Sequence, residues 1–166
     1  MLHDILEALT FFAPAYFANT FACILGGGKP LDFRKKFIDG RRVLGDGVTV
    51  KGSVLGGGVG VIVGIVKSIL ENSFTLHEIE LSFLLSYGAI LGDALGSFLK
   101  RRLNIPRGKP APLLDQLDFV MGALFLASFI EEIEMKTIII LLLITPFGHL
   151  LVNMTGYKLG MKDVPW

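Results

Sequence analysis

Residues 53–70 read SVLGGGVGVIVGIVKSIL, an apolar run with one charge, Lys67, and glycines recurring at Gly56, Gly60 and Gly64. Crossing about 30 Å of hydrocarbon takes roughly 20 helical residues, which this run approaches. It has no strand-like alternation, so it predicts a membrane-crossing helix. Small residues one turn apart predict a close helical neighbour. Runs of the same kind lie at 5–25, 79–99, 113–130 and 137–154, and Gly88, Gly92 and Gly96 repeat the glycine spacing in the third run along the chain. The expected fold is an all-α integral membrane protein, a bundle of five transmembrane helices. It would form a single polytopic membrane domain over residues 1–166, with loops at 26–52 and 100–112. The composition agrees: 52% hydrophobic residues is more than a soluble domain of 166 residues needs. Ten-residue alternating segments are absent, which excludes a barrel. Asp4, rather than basic residues, precedes the first run, so that run is expected to stay in the mature chain.

The charges are segregated. All but Lys67 and Lys136 of the 16 Lys and Arg residues fall in the loops at 26–52 and 100–112 or in the tail, whereas Glu71, Glu78, Glu131, Glu132 and Glu134 mark the other connections. The positive-inside rule then predicts a cytoplasmic basic side, with the N-terminus outside and the C-terminus cytoplasmic. A net charge of +1 argues against a nucleic-acid binder. The lone Cys23 excludes an intramolecular disulfide framework, and the Cys and His residues show no zinc spacing.

The third run ends Gly92-Asp93-Ala94-Leu95-Gly96-Ser97-Phe98-Leu99-Lys100-Arg101-Arg102. Asp93 lies about 10 Å along a helix from the first of those cations. An ionised carboxylate at that depth is costly, so Asp93 should face the bundle interior or a cavity. The fourth run opens Pro112-Leu113-Leu114-Asp115-Gln116-Leu117-Asp118-Phe119, which sets Asp115 and Asp118 on one helix face. A short connection makes the two helix ends neighbours, so the three acids can share one pocket. Such a pocket suits Mg²⁺, which takes one or two carboxylates and completes its shell with water and phosphate. Lys100, Arg101, Arg102, Arg107 and Lys109 surround the acids in sequence, and the combination reads as metal plus polyphosphate. Taken singly, these cations read as topology determinants or headgroup contacts, Ser97 as a packing or capping residue, and His149 as a buried hydrogen-bonding residue. The glycine-rich stretch Asp39-Gly40-Arg41-Arg42-Val43-Leu44-Gly45-Asp46-Gly47-Val48-Thr49-Val50-Lys51 lacks the Walker A spacing.

These motifs, with Pro14-x-Tyr16-x-Ala18-Asn19 in the first run, resemble those of the membrane cytidylyltransferases, and of their archaeal branch, the CDP-archaeol synthase family. The likeness extends over nearly the whole chain. It implies a Mg²⁺-dependent reaction of CTP with a prenylated glycerol phosphate lipid drawn from the membrane bilayer, giving a CDP-activated diether lipid and pyrophosphate. It further implies that Asp93, Asp115 and Asp118 hold metal, that Lys100 and Arg101 stabilise phosphate charge, and that Asp46, Thr49, Lys51, Ser97, Arg102 and Arg107 contact substrate. Val48 stands where family members commonly carry Lys, and Lys51 is the nearest replacement for that charge. Two other readings of the buried acids fit the sequence less well. A transporter or channel subunit would spread its acids through the membrane, and no inverted repeat relates two halves of this chain. A CDP-alcohol phosphotransferase would follow Asp-Gly with Ala-Arg and later acids, which neither Asp39-Gly40 nor Asp46-Gly47 does. Oligomeric state is not encoded in any of these patterns.

Overall fold

The computed structural model describes residues 1–106, 109–158 and 160. Its helices are α1 Leu2–Ile24, α2 Val50–Leu70, α3 Leu76–Arg102, α4 Leu114–Ala127 and α5 Met135–Lys158. Local chemistry sets several of their ends. Thr49, extended at φ −119°, caps α2 by accepting from the Gly52 amide at 3.1 Å. Thr75 does the same for α3 through Glu78, and Lys100, Arg101 and Arg102 occupy its last turn, where the carbonyl end of the helix favours cations.

The expectation of five crossing helices is corrected here. Among the described residues, three helices are long and apolar enough to cross a membrane: Val50–Leu70, Leu76–Arg102 and Met135–Lys158. Helix α4 has 14 residues, about 21 Å at 1.5 Å per residue, short of the hydrocarbon thickness. The apolar run 113–130 looked longer because its last residues, Ser128, Phe129 and Ile130, are turn rather than helix. Helix α1 has the length, 23 residues, but Asp4, Glu7, Pro14, Tyr16 and Asn19 dilute its apolar character. With three qualifying helices, the expected sidedness of the termini no longer follows from a count of five. The protein remains a multi-pass membrane protein, and its surface fits that setting: Val54, Ile62, Val66, Leu143, Phe147 and Leu151 all point outward.

The interior is built from close backbone approach. A side-chain carbon at Gly60 would strike the Pro14 carbonyl and Ser86, and one at Gly56 would strike the Ala18–Ala22 backbone, so α1 and α2 lie nearly backbone to backbone. Gly88 and Gly92 of α3 do the same against Gly122 and Asp118 of α4. Between these pairs sits an apolar core of Ala8, Phe12 and Ala15 from α1, Leu81, Leu85 and Ala89 from α3, and Phe119, Val120 and Ala123 from α4.

Candidate active site

The α3–α4 crossing carries the acids. Gly92 packs against the Asp118 backbone, and Gly96 lies directly under the Asp118 carboxylate, where an added carbon would overlap Oδ2. Asp118 Oδ1 accepts from the Phe119 amide at 2.7 Å, while Oδ2 is buried with no hydrogen-bond partner. Asp93, Asp115 and Lys100 all act electrostatically on this carboxylate. Asp115 is held twice. Its Oδ2 accepts from the Ala111 amide at 3.0 Å, closing the loop onto the helix start, and its Oδ1 makes an ionic contact with Lys100 Nζ at 2.8 Å. Leu113, just before α4, takes φ 66° and ψ −45°, a rare γ-turn-like geometry for a residue with a side chain. Pro110 and Pro112 precede the helix.

A second layer comes from the basic loop, which folds onto the last turn of α3. Its centre is Asp32, whose carboxylate accepts from Arg42 at 2.8 and 3.1 Å and from the amides of Arg34, Leu44 and Gly45. Burial pushes this carboxyl up, but Arg42 and the three amides outweigh burial and hold it well below the usual carboxylate range. Arg41 donates to the Arg102 carbonyl at 2.5 Å, satisfying an orphan acceptor of the helix end. Arg102 returns the contact by donating to the Arg42 carbonyl at 2.6 Å. It also pairs with Asp39 at 3.1 Å and lies over the rings of Phe37 and Phe98.

The residues predicted from sequence divide accordingly. Lys100 and Asp115 are in contact, and Asp93 and Asp118 belong to the same electrostatic cluster, but the ligand atoms of the three acids do not all lie within 4.8 Å of one another. Arg101 lies beside Gly45, with its Nε buried and without a hydrogen-bond partner. Arg102 is engaged in clasping the loop. Asp46 pairs with Arg42 at 3.1 Å. Thr49 is buried and accepts from Gly27 and Gly52. Lys51 is exposed in the first turn of α2, and Ser97 is half-buried on α3. Val48 is buried, and its carbonyl accepts from Leu31, so position 48 packs inward. Arg107 lies outside the described residues. Sequence reasoning missed Asp32 and Asp39 as organisers of the loop; the available signal was an acid, Asp32, set among Lys29, Arg34, Lys35 and Lys36. Among the described residues, one group of metal-ligand side chains lies within 4.8 Å of one another, His3, Asp4 and Glu7. It sits at the far end of α1 from the basic loop, where Asp4 is already paired with Lys136 and the N-terminal ammonium.

Acids and cations meeting at one end of an apolar helical bundle define a membrane-embedded enzyme for phosphorylated substrates. The family model described as CarS-like: CDP-archaeol synthase matches residues 1–166. The CDP-archaeol synthase of Methanocaldococcus jannaschii is 53% identical, with 96% of each chain covered, and that of Pyrococcus horikoshii is 48% identical, with 99% of each covered. A solved structure described as "Structural insight into an intramembrane enzyme for archaeal membrane lipids biosynthesis" is similar at a TM-score of 0.82 and 37% identity, covering 90% of this chain and 94% of its own. The chain belongs to the CDP-archaeol synthase family and is a CTP-dependent nucleotidyltransferase.

Proposed function

We propose that the protein joins CTP to 2,3-bis-O-geranylgeranylglycerol 1-phosphate, with Mg²⁺ as cofactor, releasing pyrophosphate and the CDP-activated diether lipid. The observation that carries this reading is the meeting of Asp115, Asp118 and Lys100 at the α3–α4 crossing, with one buried carboxylate oxygen left without a partner. An oxygen of the lipid phosphate attacks the α-phosphorus of CTP. The bond from that phosphorus to the oxygen bridging the β-phosphate breaks, and its electron pair leaves with pyrophosphate. The nucleophile is already anionic at neutral pH, so the step needs no strong base, which fits a site without a histidine or serine dyad.

The donor set fits a hard cation. Asp118 Oδ2 has unspent acceptor capacity, Asp115 is anchored by the Ala111 amide, and Asp93 belongs to the same electrostatic cluster. Mg²⁺ held by these three acids would neutralise triphosphate charge and polarise the attacked phosphoryl group. Lys100 and Arg101 supply positive charge to the reacting phosphate and to the departing pyrophosphate. Lys51 offers a further cation toward the nucleotide, and Asp46, Thr49 and Ser97 border its approach. Arg102 fixes the loop through Asp39, the Arg42 carbonyl and two rings, and its Nη1 is buried without a hydrogen-bond partner, leaving a donor for substrate phosphate.

The test is pyrophosphate release from CTP by purified protein in lipid nanodiscs, with the lipid product identified by mass. Release that depends on both CTP and the prenylated glycerol phosphate is expected. Lipid-independent release, or none, would reject the reading.

A further inference from the structure

The loop between α1 and α2 hangs from the ends of two membrane-crossing helices. Pro30 pairs with Thr49, the residue that caps the start of α2, and the Phe37 ring meets the Phe98 ring of α3 edge-on at 5.3 Å. Phe98 lies one turn inside the helix end at Arg102, about 6 Å along the axis at 1.5 Å per residue. It sits between Leu95 and Leu99, which point outward from the bundle. The loop is thus held at the depth where the apolar surface of these helices stops.

It presents two apolar corners there. In one turn the Gly40 amide donates to the Phe37 carbonyl at 2.9 Å and the Phe37 amide to the Arg41 carbonyl at 2.7 Å, with Gly40 at φ 76°. The first corner of such a turn suits proline and most polar residues, but here it is Ile38, 94% exposed. In the preceding turn Phe33, 63% exposed, and Arg34 both take left-handed φ, 47° and 63°, and the Asp32 carboxylate accepts from the Arg34 amide. Between the corners stand Arg34, Lys35 and Lys36, all exposed. The ion pairs of the loop go to Arg41, Arg42 and, from α3, Arg102, so among the described residues these three cations have none.

We propose that this segment is a membrane-surface anchor, with Phe33 and Ile38 seated in the headgroup layer of the adjoining leaflet and Arg34, Lys35 and Lys36 drawn to its anionic lipids. A single exposed apolar residue needs no explanation. Two at successive turn corners, flanking three unpaired cations at the level of the helix ends, match the composition by which segments lie in a bilayer interface: apolar groups at the boundary of headgroups and chains, Lys and Arg toward anionic headgroups. Charge selects the occupant. A second copy meeting this surface through the same patch would set its three cations against their own kind, as a two-fold contact requires. The segment is then held from both sides, by α3 through Asp39 and Arg41 and by the leaflet through Phe33 and Ile38. This reading does not depend on the reaction proposed above.

The experiment uses the full chain, one copy per nanodisc, carrying Trp166→Phe and Ile38→Trp, so that the turn holds the only tryptophan. The discs are phosphatidylcholine and phosphatidylglycerol in fixed proportion, with the same minor fraction of brominated lipid supplied as one or the other. The reporter should emit to the blue of a tryptophan in water. Bromines near the carbonyl end of the chains should quench it most, since interfacial segments sit about 5–10 Å into the boundary. Brominated phosphatidylglycerol should quench as though enriched about fivefold or more beside the turn. Arg34→Gln, Lys35→Gln and Lys36→Gln made together should bring the two brominated lipids to parity. Phe33→Trp reports from the other corner and serves if Ile38→Trp fails to fold. A reporter that emits as in water and escapes both lipids, or one quenched equally by both while the three cations are intact, would overturn the proposal. So would enrichment that survives loss of the cations, or a blue shift that appears only with two copies per disc.

Discussion

Gly96 has no side chain, and the Asp118 carboxylate occupies the space one would fill. Gly96→Ala should therefore behave as an active-site variant, displacing the acid and cutting turnover by more than the conservative exchange suggests. Asp93→Asn and Asp115→Asn keep shape but remove charge, and each should lower CTP turnover per folded molecule by about a hundredfold or more, the scale for loss of one well-placed electrostatic stabiliser. Near-normal turnover in both would remove these acids from the site. Asp32 makes a different kind of prediction. Its folded pKa lies below its ordinary value of 3.8, so its contribution to loop stability is complete above that pH and declines as pH falls toward the lower folded value. Protection of the Leu44 and Gly45 amides against hydrogen exchange, corrected for intrinsic rates, should stay flat at neutral pH and drop only in that acidic range. Asp32→Asn should weaken it at every pH.

Between helices, the determining quantity is backbone distance. Gly58 and Gly60 sit two residues apart on α2, yet a carbon added at Gly58 meets nothing within 4 Å, whereas one at Gly60 meets the Pro14 carbonyl and Ser86. Gly60→Ala should destabilise by about 1–3 kcal/mol through overpacking. Gly58→Ala should be neutral or stabilising by up to about 1 kcal/mol, since it relieves glycine's entropy cost in a helix. Melting temperatures of the two variants in one detergent decide the matter. The glycine stripes were legible because a four-residue spacing is a local pattern. The acid pair on α4 was legible for the same reason. The length of α4 was not, because hydropathy cannot distinguish a helix ending at Ala127 from the apolar turn that follows it. Nor were the bonds of Asp39 and Arg41 to the end of α3, because pairings between residues some 60 positions apart leave no periodic trace, or those of Asp32 within the loop, whose spacings of 2 to 13 follow no period.

For the whole molecule, excess EDTA should abolish turnover and added Mg²⁺ should restore it, since acids and triphosphate repel without a cation between them. Full turnover in chelator would contradict the metal assignment. The way the basic loop is fastened has a further consequence, for ionic strength. The Asp32 side chain is 1% exposed, and the Arg102 guanidinium is stacked on two phenyl rings and bonded to a carbonyl. Mobile ions screen such enclosed contacts weakly. The attraction between Lys51 or Arg101 and a triphosphate arriving from water acts across solvent, where the Debye length shrinks from about 10 Å at 0.1 M salt to about 3 Å at 1 M. Raising salt should thus weaken capture of CTP while the loop stays docked, so the two electrostatic roles of one arginine-rich segment separate on a single titration axis.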